Sequence, residues 1–87
     1  MPLDEFNRGL EVIDKALRDS IAHEKMFDYS LLYSKASVGV SSITFILTVH
    51  GRSHEKKFAP DEIETCETHV YGTAVAKIRE LIDEAKG

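Results

Sequence analysis

The sequence predicts a small two-layer α+β domain in the order α-β-β-β-α, with a three-stranded antiparallel sheet and two helices on one of its faces. Three observations predict it. An apolar stripe with helical spacing opens the chain, a second one closes it, and the run Ser42-Ile43-Thr44-Phe45-Ile46-Leu47-Thr48-Val49-His50 between them is apolar and β-branched. Two amphipathic helices need a surface to bury against, and a sheet with one apolar face supplies it.

Leu3, Phe6, Leu10, Ile13, Leu17 and Ile21 recur at steps of three and four and form the first stripe. Asp4 with Arg8, Glu11 with Lys15 and Asp14 with Arg18 are acid-first pairs one turn apart, the better orientation on a helix surface. Pro2 and the acids behind it suit the positive end of the helix. The helix is expected to end between Ala22 and Lys25, with no sharp stop signal. Gly9 is a weak spot in its middle, or a place where another backbone comes close.

Phe27, Tyr29, Leu31 and Tyr33 alternate with Asp28, Ser30, Leu32 and Ser34, which reads as a half-buried strand. Lys35 to Ser41 is small and contains Gly39, and reads as a connection. In the central strand Ile43, Phe45, Leu47 and Val49 point inward, while Thr44, Ile46, Thr48 and His50 point outward. The turn at Gly51-Arg52-Ser53 admits two registers. A two-residue type II′ turn at Gly51-Arg52 sets Phe58 opposite Phe45, both inward, whereas a three-residue turn sets Phe58 opposite Ile46 and sends it outward. Burial of Phe58 favours the two-residue turn. The third strand then runs from Ser53 to Phe58, and Glu55, Lys56 and Lys57 discourage stray pairing at its edge.

Pro60 followed by Asp61, Glu62 and Glu64 marks a second helix start. Ile63, Cys66 (or Glu67), Val70, Ala74, Ile78, Leu81 and Ala85 continue as one stripe, widened by Val75 and Ile82. Gly72 marks close packing or a kink near Tyr71. The acidic pairs Asp61-Glu62, Glu64-Glu67 and Asp83-Glu84 fall on the expected solvent face.

Eighty-seven residues make a single domain spanning 1–87. So short a chain buries little more than ~60% of its unfolded surface, and self-association commonly compensates. The formal net charge of −4 argues against a nucleic-acid partner, which would draw a basic footprint. No apolar run reaches the ~18 residues a membrane span needs, and no leader is visible. Cys66 is alone and has no internal disulfide partner, so the expected compartment is the cytoplasm.

The element order resembles that of the double-stranded RNA-binding domain. That fold grips phosphates with a basic run at the start of its last helix, where this chain has Pro60-Asp61-Glu62. The likeness therefore stops at the order of elements, and no family membership follows from it.

Four metal-capable side chains, His50, His54, Cys66 and His69, are the number a tetrahedral zinc site wants, but their spacing matches no established zinc pattern and the two-residue turn sends His50 and His54 to opposite faces. Burial and neighbouring acids both oppose a reactive Cys66. There is no phosphate loop, dinucleotide fingerprint or nucleophile elbow, and no cofactor is implied. The expected function is a non-enzymatic protein-interaction or regulatory module, a homo-oligomer that inhibits by covering a surface of a host macromolecule. Leu32, Thr44, Ile46 and Thr48, with Tyr71, are its candidate partner-binding residues. The alternative is a small-ligand or nucleotide-binding protein in which His50, Arg52, His54 and Lys56 receive an anion between subunits. A zinc-binding domain is the second alternative.

Overall fold

A computed structural model describes residues 2–34, 39 and 42–87. Its elements are α1 (Pro2–His23), β1 (Tyr29–Leu32), β2 (Ile43–Val49), β3 (Arg52–Phe58), α2 (Pro60–Glu64) and α3 (Thr73–Lys86). The strands form one antiparallel sheet in the order β1-β2-β3. Most of the connection expected over Lys35 to Ser41 lies outside the described residues, as does the side chain of Leu3.

The core is the meeting of the two expected stripes with one sheet face. Phe6, Leu10, Ile13, Leu17 and Ile21 of α1 are buried, together with Ile78, Leu81 and Ile82 of α3. They close over Leu31, Ile43, Phe45, Leu47, Val49 and Phe58. Along β2 burial alternates strictly, as a strand with only one covered face requires. Tyr33, half-buried, stacks on Phe45 with ring centroids 4.5 Å apart.

Helix α1 does have a stop, built without glycine. Met26 N–H donates to the Ile21 carbonyl and Lys25 N–H to that of Ala22, the two bonds of a Schellman cap, with Lys25 in the left-handed region at φ 58°. The cap turns the chain and lays Met26 on the core. Phe27, expected to face inward in the first strand, lies before β1 and is 87% exposed. The cap's geometry, not the alternation of side chains, decides where pairing begins.

The hairpin register differs from the one expected. The turn residues are His50 and Gly51, and Val49 pairs with Arg52. Phe58 therefore lies opposite Ile43, not Phe45. Both turn residues have positive φ, 51° and 80°, as a type I′ turn demands, and that turn matches the right-handed twist of its strands. Moving the turn by one residue shifts the pairing by two, and two is the period of a strand. Inward residues thus stay inward: Phe58 is fully buried and meets Phe45 diagonally, edge to face, with centroids 5.2 Å apart.

The single closing helix expected from the sequence is two helices. Residues 65–72 separate α2 from α3, and Gly72 sits at φ 66°. The segment Thr-Cys-Glu-Thr-His-Val-Tyr is poor in strong helix formers. Thr65 also turns its hydroxyl back to the carbonyls of Asp61 and Glu62, competing with helix continuation. Cys66 is nevertheless fully buried and donates its thiol to the Glu62 carbonyl at 3.0 Å, so the segment stays packed. Burial pushes the thiol pKa up.

Gly9 is where α2 meets α1. A Cβ there would stand 1.8 Å from the carbonyl oxygen of Ile63, so only glycine permits this approach. Of the two readings of Gly9, close backbone contact is the one the structure bears out.

Candidate functional site

The helices take one face of the sheet, and among the described residues no element covers the other. Register places Ser30, Leu32, Thr44, Ile46, Thr48, Ser53, Glu55 and Lys57 on it. Leu32 is directly opposite Ile46, and Ile46 is opposite Glu55, so the middle rung reads Leu-Ile-Glu across the three strands. Leu32 is 60% exposed, while Thr44, Ile46 and Thr48 are half-buried by their neighbours. At one end the hydroxyls of Thr48 and Ser53 bond to each other at 3.0 Å. At the other, Thr44 pairs with Lys57.

Four of the five expected partner-binding residues therefore share one surface. Tyr71 does not join them. It lies in the segment between α2 and α3, in the helical layer, with its ring over His69 at a centroid distance of 6.5 Å.

The expected ligand-binding residues are divided in a different way. His50, Arg52 and His54 line a pocket of about 290 Å³ at the β2–β3 turn, facing Glu84, Ala85, Lys86 and Gly87 at the end of α3. Lys56, one rung further along the same face, is held elsewhere. Its ammonium bonds Glu80 at 3.0 Å and lies 3.8 Å from Glu84, and the bond to Glu80 raises its pKa above the ordinary value. Lys56 is thus a strut between β3 and α3 more than an edge guard. Glu84 and the negative end of α3 temper the positive character of the pocket.

The four metal-capable residues are not drawn together. Among the described residues no group of three His, Cys, Asp or Glu side chains is placed to hold an ion. Cys66 is sealed in the core, while His50 is exposed in the turn, 3.8 Å from Asp28. No helix of the described residues is long and apolar enough to cross a membrane.

Glu62, expected on the solvent face, is instead drawn in between α2 and α3. Its side chain is only 11% exposed and accepts hydrogen bonds from Ala59 N–H at 2.8 Å, from the Lys77 ammonium at 2.5 Å and from the Thr73 hydroxyl. Burial alone would raise its pKa, but the bonds from Lys77, Thr73 and Ala59 outweigh burial and hold it at about 2. A glutamate at the third position of a helix, reaching back to the N-cap amide, is half of a capping box. The Pro60-Asp61-Glu62 start carried that signal, hidden because Ala59 supplies no capping hydroxyl.

Comparison of the chain with models of known protein families, with curated proteins and with solved structures finds no match.

Proposed function

We propose that this chain is a non-enzymatic interaction module whose working surface is the open face of the sheet. The observation that carries the reading is the Leu32–Ile46 pair, two apolar side chains directly opposite each other on the face the helices leave uncovered. Polar residues surround it, Thr44 and Thr48 along β2 and Glu55 and Lys57 on β3, which is the make-up of an interface core and rim. Such a module acts by covering a surface of another macromolecule, as an inhibitor does, or by assembling with its own kind.

The test is comparative capture. Wild-type protein and a Leu32→Ser/Ile46→Thr variant, both immobilised, are exposed to the same host extract and the retained proteins identified by mass spectrometry. The threonine keeps a β-branched side chain in the central strand, so the variant should melt as a folded protein. A partner retained by the wild type and lost by the variant supports the reading; identical retention sinks it.

A second reading draws on the pocket shared by His50, Arg52 and His54. Among the described residues Arg52 and His54 form no ion pair within the chain, which leaves them available to a phosphate or a nucleotide, with a second subunit completing the site. Saturable thermal stabilisation by phosphate or nucleotides, abolished in Arg52→Ala, would support it; no shift across the panel would remove it.

A further inference from the structure

We infer that the open sheet face pairs with the same face of a second copy, about a two-fold axis that runs across the strands between the Ile46 and Thr44 rungs. The inference rests on the reading of that face as the binding surface and adds which occupant it fits. Glu55 and Lys57 carry it. They stand two residues apart on β3, both on the open face, both exposed, opposite Ile46 and Thr44 respectively. Among the described residues neither side chain forms an ion pair within the chain.

A two-fold interface uses one patch twice, so each contact occurs in duplicate. With the axis between those two rungs, a side chain on one rung faces the partner's side chain on the neighbouring rung of the same strand. Glu55 then meets the partner's Lys57, and Lys57 meets the partner's Glu55. The same operation sets Ile46 over the partner's Thr44 on the central strand and lays the Leu32 side chains of both copies side by side along the β1 edge. Strands run over strands, the aligned packing that two sheets adopt, at a separation of about 10 Å that glutamate and lysine span together.

The face supplies its own complement. Among the described strand residues it carries one acid and one base, so a second copy meets no net repulsion between them despite the chain's charge of −4. Strand spacing and rise give the patch a projected area of roughly 300 Å². That is well below the ~800 Å² per partner of a standard-size interface, which places the dimer among weak, transient contacts. Pairing hides the face that another protein would use, so self-association and partner binding exclude one another.

Sedimentation equilibrium of the full chain, from about 10 μM to about 1 mM at low salt, tests this with Glu55→Lys and Lys57→Glu. The wild type is expected to dimerise within that range. Each single variant turns two attractions into two repulsions and should weaken self-association on the order of tenfold. An equimolar mixture of the two variants should recover wild-type association, because the doubly basic face meets the doubly acidic one. The exchanged variant Glu55→Lys/Lys57→Glu should recover it without mixing. Both positions are exposed, and melting curves establish that each variant is folded. A wild type that stays monomeric, single variants that dimerise unchanged, or a mixture no better than its components would each overturn the proposal. A monomeric wild type that still loses a captured partner through Leu32→Ser/Ile46→Thr would overturn the pairing and leave the binding face standing.

Discussion

The carboxylate of Glu62 lies 2.5 Å from the ammonium of Lys77, and through that contact the start of α2 is tied to α3. Lys77 also donates to the Lys57 carbonyl at 2.8 Å and sits 5.6 Å above the ring of Phe58. One lysine thus fastens both C-terminal helices to the last strand of the sheet. It holds the chain where the segment between α2 and α3 interrupts the helix.

This contact should make stability fall in acid. The Glu62 pKa is about 2 in the folded protein against an ordinary 4.5, so its contribution is fully present above the unfolded value. It is lost as the pH falls from about 4.5 towards 2, where the folded form also takes up the proton. Glu62→Gln should lower stability by about 1–3 kcal/mol at neutral pH. The gap between variant and wild type should close through that window when urea midpoints are compared at a series of pH values. A gap that stays constant down to the lower limit would show that the ionised pair contributes nothing.

Gly9→Ala should destabilise the fold although alanine is the better helix former. The added Cβ would stand 1.8 Å from the Ile63 carbonyl oxygen, a backbone atom that moves only if α2 moves. Overpacking of this kind costs about 1–3 kcal/mol, against a propensity gain of ~1 kcal/mol. With the clash set against a backbone atom the upper end of that cost applies, and a net loss of about 2 kcal/mol in chemical denaturation is expected. A variant as stable as the wild type would mean that α2 is not seated against α1 at this point.

Lys25→Gly should have the opposite sign. Lys25 sits at φ 58°, where an L side chain is strained and glycine is not. Its side chain is exposed, so little packing is lost. After allowing for the greater freedom of glycine in the unfolded chain, a gain of about 0.5–1 kcal/mol is expected. Thermal melts under identical buffer would register it, and a drop in melting temperature would contradict the cap.

The hairpin offers a matched pair of substitutions. His50→Asn places the preferred Asn-Gly sequence in the type I′ turn and should stabilise by a few tenths of a kcal/mol. Gly51→Ala should cost ~1 kcal/mol or more, because φ there is 80°. If the turn were Gly51-Arg52, His50→Asn would replace a strand residue by a poorer one and stability would fall. The sign of that single change distinguishes the registers.

Much of the fold is legible in the sequence. Leu10, Ile13, Leu17 and Ile21 are buried because their spacing puts them on one side of a helix; Ile43, Phe45, Leu47 and Val49 are buried because theirs puts them on one side of a strand. The open face was legible for the same reason, since Thr44, Ile46 and Thr48 are the residues left over. What the spacing did not reveal was where regular structure stops. The Schellman cap at Lys25, the turn at His50 and the break at 65–72 each depend on local backbone choices separated by about 1 kcal/mol. The burial of Glu62 is not legible in the sequence because its partners Thr73 and Lys77 are 11 and 15 residues away.

By itself, then, the sequence determined which side chains of α1 and β2 face the core and which face outward, but not the orientation of Phe27 or Glu62, which lie where regular structure begins. That information lies in periods of 3.6 and 2, and a period survives a turn that moves by one residue when the pairing moves by two. Only the tertiary structure decided which residues meet: Phe58 with Ile43, Gly9 with the Ile63 carbonyl, Glu62 with Lys77, and Leu32 with Ile46 on the uncovered face. Contacts between distant segments follow from how the elements dock, and docking is set by the whole chain at once.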